Sequence, residues 1–179
     1  MKRVLMRSTI VAATLLLATA AFGQQTGAAA PVPTAIVSAR TIFISNGGSD
    51  AGLFPSPFSG DENRPYDELY KALQGDSHYQ LVSDPAQADL VLELRLLAPY
   101  GPTNPNKVQG ASNPQPQFRL KVYEGRTHYV LWTLTQAISS AILQKTHDRN
   151  FDDALNYLVT EFEGLGHGQN AGAATVAGP

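Results

Sequence analysis

Residues 90–97 read Leu-Val-Leu-Glu-Leu-Arg-Leu-Leu, and this octet restricts the fold more tightly than any other stretch of the chain. Successive side chains of a strand point to opposite faces, so Leu90, Leu92, Leu94 and Leu96 share one face while Glu93 and Arg95 share the other. A strand that is apolar on one side and charged on the other needs a packed layer over the first face and water over the second. The rest of the sequence must therefore supply neighbouring strands and helices to cover one side.

Both are legible. Arg40 to Ser45 is β-branched and aromatic and runs into Asn46-Gly47-Gly48, which reads as a strand ending in a turn. A Gly/Pro/Ser loop, Gly47 to Asn63, follows. Pro65 then stands at the first helical position, and Tyr66, Leu69, Tyr70 and Leu73 recur at helical spacing before Gly75. Tyr79 to Ser83 reads as a short strand, and Asp84 to Asp89 turns the chain into the leucine strand. Ala98 to Gln117 is a long prolyl connection, mobile or functional by its length. Phe118 to Tyr123 and Thr127 to about Ile138 flank Glu124-Gly125-Arg126, the pattern of a tight hairpin. Trp132, in the second of these strands, is expected to pack in the core. Asn150 is placed to cap a last helix with Phe151, Ala154, Leu155, Leu158, Val159 and Phe162 on its apolar stripe, ending at Gly164. Asp152 and Asp153 fall in its first turn, where the helix dipole favours negative charge. The order β-α-β-β-β-β-α predicts an α+β domain: a mostly antiparallel sheet of four to five strands with two helices on one face.

The amino terminus points to a compartment. Lys2, Arg3 and Arg7 precede an apolar run, Ile10 to Leu17, and a small-residue exit, Ala18 to Gly23, which is the layout of a secretory signal peptide cleaved after Ala20 or Gly23. The run is shorter than the roughly 20 residues that span a bilayer, so no membrane span is expected. Residues 24–35 and 164–179 have the composition of a flexible leader and a disordered tail, leaving 36–163 as a single domain of ordinary size. Without residues 1–23 the chain holds 10 basic against 15 acidic residues, a net charge of −5, and that balance excludes a basic nucleic-acid footprint. The chain has no cysteine, so disulfides and thiol chemistry are excluded. Lipid attachment at a cysteine is likewise not expected. The predicted location is the periplasm or the medium.

Chemistry-bearing patterns are sparse. His78, His128, His147 and His167 show no paired spacing and no H-E-x-x-H arrangement, so no metal is expected. Ser49 lies in Gly-Ser-Asp-Ala-Gly rather than G-x-S-x-G, and Ser139 and Ser140 near His147-Asp148 make only a sequence neighbourhood. The carboxylate pairs Asp61/Glu62, Asp67/Glu68 and Asp152/Asp153 sit at or near helix starts, where the dipole accounts for them. No catalytic residue and no cofactor are assigned. Two surfaces stand out instead. The outward face of the sheet should carry Glu93, Arg95, Arg119, Lys121 and Tyr123, a solvated set of cross-strand pairs or a partner surface. The loops offer Phe54, Phe58 and Tyr100, which either lid the core or dock a partner.

The order of elements, with Tyr79-Gln80-Leu81-Val82-Ser83 running into Ala88-Asp89-Leu90-Val91-Leu92 and Leu120-Lys121-Val122-Tyr123 leading to Leu131-Trp132-Thr133, resembles the small α/β module of bacterial CsgG-like and TolB amino-terminal-like envelope proteins. The resemblance covers about Thr41 to Phe162. It implies a non-enzymatic part of an envelope assembly with an envelope or extracellular protein partner, and brings no catalytic residues. Two other readings stay open: a small secreted hydrolase using His128 or His147, and a small-ligand binder with a pocket under the 47–63 loop. The sequence sets neither the partner nor the oligomeric state.

Overall fold

A computed structural model of the chain describes residues 30–75, 78–99 and 115–168. Its elements are α1 (Thr34–Ser38), β1 (Thr41–Ser49), α2 (Arg64–Gln74), β2 (Gln80–Leu81), β3 (Leu90–Leu97), β4 (Gln117–Glu124), β5 (Val130–Ala137) and α3 (Gln144–Gly166), with a 3-10 turn at Pro85–Gln87. The strands form one five-stranded sheet in the order β2-β1-β3-β4-β5. The expected α+β architecture is thus present, as a mixed sheet. β1 is parallel to both β2 and β3, while β3, β4 and β5 form an antiparallel meander. The parallel ladders arise because α2 carries the chain from β1 to β2 as a crossover, and the turn at 82–89 then returns it to the other side of β1.

The leucine alternation positions everything else. Leu90, Leu92, Leu94 and Leu96 are buried, and their antiparallel neighbours Phe118, Leu120 and Val122 bury the same face of β4. Ile42 and Ile44 extend that face across β1, and Leu134 across β5. Leu69 and Leu73 of α2 and Phe151, Leu155, Leu158 and Phe162 of α3 close over it. Full burial of each such side chain contributes about 1.5–3 kcal/mol against the entropy of folding. Trp132 lies half-buried at the margin of this core.

Several boundaries differ from the sequence reading. β1 continues through Asn46-Gly47-Gly48, because the turn signal makes a bulge inside the strand. Asn46 pairs with Leu94 and Ser49 with Leu96, so the register shifts between them. A Cβ on Gly47 would stand 2.6 Å from the Leu94 carbonyl oxygen, and Gly48 has φ of 75°. Both positions therefore require glycine. α1 lies partly inside the expected leader, and its Ile36 is fully buried. α3 begins at Gln144 rather than Asn150, with Leu143 as its N-cap and no capping side chain. Tertiary contacts hold this first turn: Gln144 Nε2 donates to the Pro55 carbonyl, and the His147 ring meets Phe58 edge-on at 5.9 Å. Asn150, displaced from the capping role, donates to the Ser139 carbonyl. The helix also outruns Gly164, since Leu165 and Gly166 are buried within it. Among the described residues no helix is long and apolar enough to cross a membrane.

Candidate functional site

The face of the sheet turned away from α2 and α3 carries the charged residues picked out by alternation, and the strand register sets their partners. Glu93 stands opposite Lys121, and Arg95 stands opposite Arg119. Tyr123 donates its hydroxyl to Glu93 Oε2 at 3.0 Å, and Lys121 Nζ lies 3.5 Å from Glu93 Oε1. One carboxylate thus gathers two neighbours from β4. The Glu93 carboxylate, followed by Tyr123, holds the Lys121 ammonium in its charged form to a pH above the ordinary lysine range.

The second row behaves differently. Like charges directly opposite one another on a sheet repel, yet Arg95 and Arg119 are such a pair. Arg95 turns to Asp50, whose Oδ1 lies 3.2 Å from its Nη2 while Oδ2 accepts from the Ala98 N–H. For Arg119, no ion pair or side-chain hydrogen bond is formed among the described residues. Its charge thus has no carboxylate among the described residues, and its register partner is an arginine already engaged by Asp50.

A third row was not foreseen. Phe43, Val91, Tyr123 and Val130 are register partners across β1, β3, β4 and β5, and all four keep part of their surface in water. The signal was present in Thr41-Ile42-Phe43-Ile44-Ser45, where alternation puts Phe43 opposite the two isoleucines. An aromatic and aliphatic row thus lies beside the charged one on this face.

The loop candidates separate. Phe58 has no exposed surface; its ring lies against Phe54, His147 and Phe151. It lids the core, so a contact role for Phe58 is corrected: the ring would have to leave the core to reach a partner. Phe54 is half-buried and packs on the same cluster. Tyr100, like most of the 98–117 connection, lies outside the described residues. Beneath the 47–63 loop, the loop's own Leu53 and Phe58 are buried in the core.

A salt-bridge cluster, missed in the sequence, pins that loop. Arg64 Nη1 lies 2.6 Å from Asp148 Oδ1 and donates to the Ser59 carbonyl, Nη2 reaches Asp152 at 2.8 Å, and the guanidinium sits 4.2 Å over the Phe151 ring. Burial pushes the Asp148 carboxyl up, but the Ser59 N–H and Arg64 outweigh it and hold it below the usual range. These groups, drawn from α2, the loop and α3, satisfy one another, which is a structural arrangement.

The histidines are dispersed. His128 takes a positive φ of 59° in the β4–β5 turn, and His147 faces Phe58 while its neighbour Asp148 is engaged by Arg64. Neither assembles with a serine into a triad among the described residues. His78 and His167 come together, with ring centroids 5.3 Å apart, and His78 Nε2 lies 3.0 Å from Arg40 Nη1. Among the described residues no group of three histidine or carboxylate side chains is arranged to hold a metal ion.

No family model matches the chain, and no curated protein does. Solved structures of similar course exist. One is a DUF4136 family protein from Bacteroides thetaiotaomicron, 15% identical, with a TM-score of 0.47 over 73% of this chain and 90% of that one. Another is the LpoB C-terminal domain from Salmonella enterica, 14% identical, with a TM-score of 0.36 over 56% of this chain and 83% of that one. A third is lipoprotein GNA1162 from Neisseria meningitidis, 14% identical, with a TM-score of 0.33 over 68% of this chain and 99% of that one. At such identities no residue role is carried across. They do not single out the CsgG-like or TolB-type module that the sequence resembles.

Proposed function

We propose that this chain is an exported, non-enzymatic module of the bacterial envelope that binds another envelope protein through the outer face of its sheet. The observation that carries the reading is the Arg95–Arg119 pair: two arginines opposite one another in register on neighbouring strands, Arg95 engaged by Asp50 and Arg119 without a carboxylate among the described residues. A sheet selected only for stability would place opposite charges there, as it does at Glu93 and Lys121. An acidic side chain from a partner relieves the repulsion with bidentate bonds, for which arginine is suited. The apolar row of Phe43, Val91, Tyr123 and Val130 supplies area that excludes water beside those bonds. Export rests on the tripartite organisation of residues 1–23.

The test uses the full chain with a carboxy-terminal tag, crosslinked in cells and fractionated, with mass spectrometry of the adducts. A dominant envelope protein recovered with the natural chain and lost with Arg95→Glu/Arg119→Glu supports the reading. The same adducts from both chains, or none from either, overturn it.

A further inference from the structure

β5 is the end strand of the sheet, and its outer edge is open among the described residues. The opposite end is closed off by brevity, since β2 is two residues long while β5 runs for eight. β4 is the neighbour of β5 in the sheet, and among the described residues no loop or helix backbone bonds to Val130–Ala137 from the other side. A free edge of that length displays a row of unpaired N–H and C=O groups, a template for another strand, and sheets ordinarily protect it with charge, proline or a bulge. Here the protection is slight. Residues 129–138, Tyr-Val-Leu-Trp-Thr-Leu-Thr-Gln-Ala-Ile, contain no charged residue, proline or glycine. The one irregularity is at Leu131, which is skipped between the pairs Val122–Trp132 and Tyr123–Val130. From Trp132 to Ala137 the strand is regular.

Exposed apolar side chains lie on or near this strand in the sequence. Of the six large hydrophobics that stand exposed among the described residues, five are Tyr129, Val130, Ile142, Leu143 and Tyr157. The first four lie on β5 or beside its ends in sequence. Tyr157 of α3 lines a cleft with Gln136, Ala137 and Ser139, which places it along the carboxy-terminal half of β5. An unprotected edge flanked by apolar side chains is an interface.

We propose that the occupant is a second copy of this chain, paired antiparallel through β5 across a two-fold axis near Thr133. Charge decides for a second copy. The charged rows of the sheet stop at β4, and the outward residues of β5, Thr133 and Thr135, are neutral and exposed. An uncharged strand set against itself meets no like-charge penalty, whereas a charged partner strand finds no complement. With Thr133 on the axis, threonine faces threonine on the outer side, and the half-exposed Trp132 of one copy faces Leu134 of the other on the helix side. Both pairings are favourable across antiparallel strands. The pair uses the long edge of each copy and leaves only β2, so assembly stops at two. The product is a continuous sheet in which the outer faces, with Arg95 and Arg119, lie side by side.

The experiment is sedimentation equilibrium of the exported chain over a wide concentration range, repeated on Thr133→Glu/Thr135→Glu. Within one copy the introduced carboxylates face Arg119 and Lys121 across the strands, so this variant keeps the natural circular dichroism and does not lower the melting temperature, whereas at the two-fold axis carboxylate meets carboxylate. The natural chain is expected to be a reversible dimer, and the variant to raise the dissociation constant at least about tenfold. A second reading exploits the absence of cysteine: Thr133→Cys gives a covalent dimer on mild oxidation, and Glu68→Cys on α2 does not. A monomer at every concentration overturns the proposal, as does a dimer that withstands both glutamates and crosslinks equally well through Glu68→Cys.

Discussion

Replacing Arg64 with alanine removes a side chain that ties α2, the 47–63 loop and α3 together. Its bond to Asp148, 2.6 Å long with 15% and 23% of the two side chains exposed, is a charge-assisted pair largely shielded from water and contributes about 1.5–3 kcal/mol. The Asp152 contact is half exposed at that carboxylate and adds a few tenths of a kcal/mol, roughly. The Ser59 carbonyl bond and the position over Phe151 add about 0.5–1 kcal/mol each. Water will solvate part of what is left behind, so the expected loss is about 3 kcal/mol. For a domain of this size that is a fall in Tm of about 10 °C. Arg64→Lys keeps the charge without the fork and should lose about half as much. The difference depends on pH. Because the folded-state carboxyl of Asp148 lies below its ordinary value of 3.8, its contribution is complete above that value and fades as the pH falls through the depressed folded one. Urea unfolding of both proteins at pH 7 and pH 3 measures this. A loss below about 1 kcal/mol at neutral pH, or one that does not narrow in acid, refutes the reasoning.

Other substitutions test separate parts of the structure. A Cβ at Gly125 would stand 1.9 Å from the Ala88 carbonyl oxygen, a backbone atom with nowhere to go, so Gly125→Ala should cost at least about 2 kcal/mol in denaturant unfolding. Phe58→Ala removes a fully buried ring from the cluster with Phe54 and Phe151 and should cost about 3–5 kcal/mol; a neutral result would return Phe58 to the surface. Asp89 Oδ2 accepts from the Arg40 and Thr41 N–H groups at 2.8 and 3.0 Å, and these bonds hold its carboxyl below the ordinary value. Asp89→Asn should lose about 1 kcal/mol at pH 7, allowing for the solvent around this exposed group. That deficit should vanish on acidification through the folded carboxyl's titration, as melting curves across pH 2–7 would show.

How much of this was visible in the sequence depends on how local each determinant is. The alternation in 90–97 and 118–123 carried the sheet, its buried face and the membership of its charged face, because period two is written in neighbouring residues. Which charges meet is not written there. Glu93 faces Lys121 and Arg95 faces Arg119 because of the β3–β4 register, and a shift of one residue would have exchanged both faces. The Asn-Gly-Gly signal at 46–48 has the chemistry of a strand end yet forms a bulge, since local turn chemistry does not report whether pairing resumes beyond it. The first turn of α3 lacks a capping side chain, and the contacts that hold it come from residues distant in sequence: Phe58, Pro55, Ser59 and Arg64. Phe58 itself was ambiguous because an aromatic in a Gly/Pro loop has the same local signature whether it lids a core or greets a partner.

The central claim is that the outer face of the sheet is where the partner sits, and site-specific photocrosslinking in cells addresses it most directly. A photoreactive residue is placed at Arg119 in one chain and at Glu68, on the exposed side of α2, in another. The account predicts one dominant adduct with an envelope protein from position 119, reduced at least about tenfold when Lys121→Glu is added, and none of that adduct from position 68. Equal adducts from both positions, or an adduct from position 68 alone, would contradict it.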